Sequence, residues 1–141
     1  MATKAWIENE YVFVTTDVSV APSDAIDVPD GITPQDLVID NGVLRLKTEQ
    51  EKLQDLKQRK LQELKQYVAN LLSRTDWVII KLQSLRDEGW SDTEIQAEMQ
   101  KYAGVLAQRK AIREWNLQME QAIQNAQSIE ELEGVKIEFT G

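Results

Sequence analysis

The chain has 141 residues, neither cysteine nor histidine, and a net charge of −8. Its length fits one domain with a modest core, and the missing residue types exclude disulfides, thiolate or imidazole metal ligands and the commonest general base near neutral pH. Because it shows no basic patch, no leader of signal-peptide form and no run of about 18 apolar residues, we predict neither a nucleic-acid partner nor a membrane partner.

Residues 1 to 47 predict an acidic arm of β-hairpins and loops. β-prone residues flank the polar sequence at positions 8 to 10, which indicates a small hairpin. All three prolines lie between residues 21 and 35, which predicts an extended surface loop. Residues 1 to 44 hold eight acidic side chains and only one basic one, Lys4. Such an arm is either solvated or bound to a basic partner.

A second hairpin is predicted where Asn41-Gly42 separates two β-prone runs, because this dipeptide favours a tight hairpin turn. Hairpins of this size are only marginally stable alone, so they pack on each other, on helices or on another chain. Trp6, Tyr11 and Phe13 then either form a small satellite core or contact a partner. We take these three as candidate protein-binding residues at a β edge.

From residue 48 the spacing of apolar residues becomes helical. Thr48 and Glu51 have the spacing of a capping box, which opens a first helix with a narrow apolar stripe. A second helix is predicted from Asp76 to about Glu88, where Gly89 supplies a stop. These two helices suit either a helical hairpin or a coiled-coil-like pair.

A third and longer helix is predicted from the capping box at Ser91 to about residue 127, with Gly104 inside it. Ser128 caps a final turn, and the alternation over residues 135 to 139 predicts a short strand. The predicted fold is therefore α+β and mainly α, with N-terminal β-hairpins, three antiparallel or coiled-coil-like helices and a short C-terminal strand. The predicted division is a β-hairpin and loop arm, residues 1–47, and a helical domain with the C-terminal strand, residues 48–141.

No set of residues predicts catalysis. The carboxylates at positions 87 and 88, and those at 130 and 131, are adjacent and point away from one another on a helix. Nucleotide-binding glycine loops, serine nucleophile elbows and calcium loops are absent from the sequence. We therefore predict that the protein is not an enzyme and has no cofactor or metal site.

Two stretches of the helical region carry the functional signal: residues 71 to 77 are LLSRTDW, and residues 108 to 115 are QRKAIREW. Thr75 stands at a helix N-cap, Asp76 lies in the first turn, and Trp77 is placed to enter a core, so we predict all three as structural anchors.

Together these stretches resemble the small tail proteins of tailed bacteriophages, the tail assembly or tail fibre assembly chaperones. The resemblance covers roughly residues 50 to 133. It departs from the family at residues 78 to 85, which stay apolar and helical where the family has a short loop with proline. Residues 1 to 47 have no clear counterpart.

The resemblance implies a chaperone that binds a fibre or another tail protein in the host cytoplasm and then leaves or remains on the virion tail. A structural component of the tail fibre or baseplate is the alternative, and self-association into a homo-oligomer is a second way to cover apolar surface. Arg109, Arg113 and Trp115 are the candidate contacts on the helices.

Overall fold

A computed structural model describes residues 2 to 141, and the chain is α+β and mainly α, as predicted. It comprises two compact units, one ending at Gln54 and the other beginning at Asp55. The boundary between the units lies inside the first long helix, Glu49–Ser73. It is a few residues beyond the predicted boundary at residue 48, where the spacing of apolar residues becomes helical. Each unit has its own buried side chains.

Both predicted hairpins are present in the N-terminal unit. Strand β1 (Thr3–Glu8) pairs antiparallel with β2 (Tyr11–Thr15), and β4 (Leu37–Asp40) pairs antiparallel with β5 (Val43–Leu46). Both turns place two consecutive residues at positive φ, which gives the two-residue turn that matches strand twist. These residues are Asn9 (φ 51°), Glu10 (φ 70°), Asn41 (φ 53°) and Gly42 (φ 79°).

The prediction of an extended surface loop over residues 21 to 35 is wrong in part. Strand β3 (Ile26–Val28) pairs antiparallel with β1 and completes a sheet of order β2-β1-β3. Proline has no backbone N–H to donate to a neighbouring strand, and all three prolines lie outside β3. Pro34 begins a single 3₁₀ turn, Pro34–Asp36, where a missing N–H costs nothing.

The core of the N-terminal unit lies on one face of the three-stranded sheet. Ala5 is completely buried, and the register places it opposite Val14 on β2 and Ile26 on β3. The cluster also contains the buried side chains of Val28, Leu37 and Leu44, with Ile7, Val12, Val14, Ile26 and Ile32 packed around them. Because strand side chains alternate between faces, Trp6 belongs to the opposite face.

Four of the five helices begin directly after a predicted cap residue. The five helices are α1 (Glu49–Ser73), α2 (Asp76–Asp87), α3 (Asp92–Lys101), α4 (Ala103–Asn125) and α5 (Ile129–Glu133). The hydroxyl oxygens of Thr48, Ser91 and Ser128 each accept a bond from the backbone N–H three residues later, at 3.1, 3.2 and 3.1 Å. These caps satisfy donors that the first helical turn leaves free. Gly89 follows α2 at φ +82°, as its predicted stop requires.

The predicted third helix is divided, so the middle of the chain has four long helices instead of three. The break is at Tyr102 (φ −106°, ψ 16°), between α3 and α4, and not at Gly104. The Tyr102 ring packs edge-on against Trp77 of α2, and its hydroxyl accepts a 2.9 Å bond from Lys81 Nζ. Contacts with α2 therefore hold the residue at which the helix bends.

Residues 135 to 139 have the alternating burial of a strand, yet they pair with no strand among residues 2 to 141. Val135, Ile137 and Phe139 are half-buried, while Lys136 and Glu138 are exposed. The segment bonds to α1 instead. Lys60 Nζ donates to the Val135 carbonyl at 3.1 Å, and the Phe139 N–H donates to the Tyr67 hydroxyl at 3.0 Å.

The helical unit has its own core, in which Leu64, Val78, Ile123 and Leu132 are at most 1% exposed. These residues come from α1, α2, α4 and α5, so the short last helix takes part in the packing. Over the part of the chain that the structure describes, none of the helices combines the length and the apolar character needed to cross a bilayer.

An ion-pair network ties β5 to the start of α1. Arg45 donates to both carboxylate oxygens of Glu51, at 2.7 and 3.2 Å, and to Asp40 at 3.1 Å. Glu51 also accepts the Thr48 N–H at 2.9 Å, which completes the capping box. The guanidinium of Arg45, followed by the Thr48 N–H, lowers the pKa of Glu51 from an ordinary 4.5 to about 2.

We expect this network to make stability depend on pH. A lowered carboxyl pKa contributes stability that is complete above pH 4.5 and disappears as the pH falls toward 2. Thermal melts of wild type and Glu51→Gln, followed by circular dichroism, should therefore differ above pH 4.5 and converge on acidification. Glu49→Gln in the same helical turn should retain the wild-type profile, because the ion pair of Glu49 with Lys52 is long, at 3.9 Å. Parallel profiles for wild type and Glu51→Gln would contradict this prediction.

Candidate functional site

The side chains of Trp6, Tyr11 and Phe13 form what we call the aromatic face, on the side of the three-stranded sheet opposite its core. Trp6 and Phe13 are cross-strand partners, and their rings stack with centroids 5.6 Å apart and an interplanar angle of 16°. Tyr11 is 71% exposed and Phe13 is 41% exposed. Of the two alternatives for these residues, the structure disfavours a satellite core, since they lie outside the buried cluster.

Charged side chains border the aromatic face. Lys4 on β1 pairs with Asp27 on β3 at 2.7 Å, which neutralises the one basic residue of the first 44. Glu8 stands opposite Tyr11, and one of its oxygens lies 3.4 Å from the indole N–H of Trp6. The face therefore combines apolar rings with uncompensated negative charge.

In the helical unit, Arg109 of α4 closes the junction between α1 and α2. One terminal nitrogen donates to the Leu72 carbonyl and to the Thr75 hydroxyl, each at 2.8 Å. The other lies 3.0 Å from a carboxylate oxygen of Asp76. Arg109 is only 8% exposed. It was a candidate partner contact, but its donors are used inside the fold, so it holds the junction.

Thr75 occupies the predicted N-cap position of α2, but its side chain does not cap the helix. Its hydroxyl instead accepts a hydrogen bond from Arg109 and donates one to the Leu72 carbonyl. Asp76 lies in the first turn of α2, where a carboxylate is favoured by the helix dipole. Both predicted anchors therefore take part in one junction.

Trp77 is not the core anchor that the sequence predicts. Its ring meets Tyr102 edge-on at 5.5 Å, but the residue remains 54% exposed. The helical phase of α2 turns Val78 and Leu82, four residues apart, into the core at 0% and 6% exposure. Ile80 is 65% exposed, so the apolar run over residues 78 to 85 also presents apolar surface on this helix.

Trp115 lies in an aromatic cluster with Tyr67 and Phe139, at centroid distances of 5.6 and 5.5 Å. It is half-buried and fixes the C-terminal segment, whereas Arg113 on the same helix is exposed. The sequence did not predict Tyr67 and Phe139 as neighbours of Trp115. The alternation of residues 135 to 139 was the available signal, but it does not reveal which element the segment covers.

An open groove of about 570 Å³ lies between α1 and α4. Amide side chains line much of it, with one lysine, Lys65, and one glutamate, Glu120. The groove thus has no net preference for either sign of charge. Among residues 2 to 141 no group of three or more acidic side chains is arranged to hold a metal ion.

Comparison with protein-family models, curated proteins and solved structures found no match for this chain.

Arg109→Met should destabilise the helical unit by about 1–3 kcal/mol, because methionine retains the aliphatic packing but removes a buried, charge-assisted donor. Denaturant unfolding followed at 222 nm measures the difference. Arg113→Met is the matched control on the same helix and should change stability by less than about 0.5 kcal/mol. Equal effects of the two substitutions would show that Arg109 does not hold the junction.

Proposed function

We propose that this protein functions by binding another polypeptide through its aromatic face, as a bacteriophage tail fibre assembly chaperone. The observation that carries the proposal is the exposure of stacked aromatic side chains on a sheet whose core is complete without them. Contiguous apolar surface of this kind marks interaction sites in soluble proteins. Aromatic residues also dominate the binding energy of protein interfaces.

The geometry suits an extended partner. β2 is an edge strand of its sheet, and it carries Tyr11 and Phe13 on the same side. A polypeptide lying along an edge strand gains main-chain hydrogen bonds, and its alternate side chains rest on the neighbouring face. A chaperone that covers unpaired edges and apolar residues of an unassembled fibre needs a surface of this type.

The phage assignment is based on the resemblance to phage tail proteins. The two stretches that carry it, residues 71 to 77 and 108 to 115, are distant in sequence, and the Arg109 side chain bonds directly from one to the other. The two stretches therefore meet at one junction in the fold. The departure at residues 78 to 85 corresponds to the body of α2. We place the protein's action in the host cytoplasm during tail assembly.

A structural role in the tail fibre or baseplate is the second candidate, and the helical unit supplies its support. Trp77, Ile80 and Leu117 are 54%, 65% and 59% exposed. Permanent packing against tail proteins, or against copies of the same chain, would cover these side chains. Stoichiometric amounts of the protein in purified virions would favour this candidate or a chaperone that stays bound.

Co-expression with a tail fibre protein encoded in the same genome tests the proposal. Soluble fibre trimer should depend on the chain, and the double variant Trp6→Thr/Phe13→Thr should bind the fibre at least about tenfold more weakly, since two aromatic contacts are lost. Threonine retains β propensity, so the sheet should persist. Pull-down and size-exclusion chromatography with light scattering measure both effects.

Ile39→Thr is the control, because Ile39 is 39% exposed in the same unit but belongs to the separate β4-β5 hairpin. It should leave binding and trimer yield at wild-type values. Soluble fibre trimer that forms equally well without the chain would overturn the chaperone role.

A further inference from the structure

We propose that the aromatic face recognises a basic segment of its partner, and that a lysine or arginine side chain of that segment occupies a cleft beside Trp6. This inference rests on the proposed function and adds the chemical class of the segment that is bound. The cleft, the charges at its walls and the fixed position of the Trp6 ring each contribute to the argument.

The cleft has a volume of about 310 Å³ and lies next to the stacked pair of rings. Its walls include Trp6 and Glu8 of β1, together with Val20, Pro22 and Asp24 from the segment between β2 and β3. This volume is at the lower end of the range for small-ligand sites, roughly 300–1,000 Å³. One long side chain is therefore a suitable occupant.

The charge at the walls selects a cation. Neither Glu8 nor Asp24 forms an ion pair within residues 2 to 141, and Lys4, the one basic residue among the first 44, is engaged by Asp27. Arg45, the next basic residue, binds Asp40 and Glu51. Two carboxylates thus remain to pair with a positive charge from outside, and an acidic segment would be repelled.

The apolar walls suit the rest of a basic side chain. An ammonium or guanidinium group is attracted to the face of an indole ring within about 6 Å, while its aliphatic stem packs on apolar surface such as Val20 and Pro22. Stacking on Phe13 already holds the Trp6 ring in place. Because the ring is fixed before binding, little conformational entropy is lost when the cation arrives.

The test uses three fluorescein-labelled octapeptides, Val alternating with Arg, Ser or Glu, titrated against the full chain by fluorescence anisotropy. The arginine peptide should bind at least about tenfold more tightly than the serine peptide, and its affinity should fall as salt is added. The glutamate peptide should not bind. A second measurement uses ¹H–¹⁵N spectra, in which the indole resonance of Trp6 is identified by its absence from the Trp6→Phe variant. The arginine peptide should shift this resonance and leave the indole resonance of Trp115 unchanged.

Glu8→Gln/Asp24→Asn should weaken arginine-peptide binding about threefold to tenfold, as expected for two exposed ion pairs. Glu88→Gln/Glu133→Gln removes the same net charge from the helical unit and should leave the affinity unchanged. Equal losses in both double variants would show a non-specific charge effect and overturn the inference. Equal affinity for the arginine and serine peptides, or no binding of any peptide, would overturn it as well. In any of these three cases, fibre binding that still depends on Trp6 and Phe13 would leave the proposed function standing.

Discussion

The register of β1 against β2 determines the character of both sides of the N-terminal sheet. Ala5 opposite Val14 and Ile7 opposite Val12 supply the core, so Trp6 opposite Phe13 must face the other way. A slip of one residue would exchange the two sets and place a tryptophan where Ala5 is completely buried. The tight turn at Asn9 and Glu10 prevents that slip, because a two-residue loop permits only one pairing of the strands. Exposure of the aromatic face is therefore a consequence of how the core is built.

A different interaction organises the helical unit. The last turn of α1 ends with carbonyl groups that lack helical partners, and the first turn of α2 begins with a carboxylate. Arg109 supplies one planar cation that binds both ends, which a lysine with a single ammonium group would match poorly. The junction between α1 and α2 thus depends on a residue more than thirty positions away. The aromatic cluster around Trp115 holds the C-terminal segment in a comparable way.

Features determined by neighbouring residues could be predicted from the sequence, and features determined by distant contacts could not. The Asn41-Gly42 turn and the caps at Thr48, Ser91 and Ser128 are local, and all four were predicted correctly. The bend at Tyr102 lies against Trp77 and Lys81 of another helix, and residues 92 to 127 alone do not reveal those contacts.

The same limit applies to the candidate site. Apolar spacing alone does not decide which of Trp77 and Val78 is buried, since the two are adjacent and either could begin the inward stripe. Trp6, Tyr11 and Phe13 were recognised as residues that need a contact, but only the strand register shows that the core leaves them outside. The role of Arg109 inside the fold was hidden for the same reason, because Leu72 and Thr75 are brought to it by helix packing.

The charge distribution separates the roles of the two units in the proposed complex. Residues 1 to 44 carry eight acidic side chains and one basic one, while the other 97 carry 16 acidic and 15 basic ones. Long-range attraction of a basic partner therefore originates in the N-terminal unit and weakens over a Debye length of about 8 Å at physiological salt. Once the partner is in contact, ring stacking and apolar burial on the aromatic face are not weakened by ionic screening. Charge then governs how fast and in which orientation the partner arrives, and the aromatic side chains govern how long it stays.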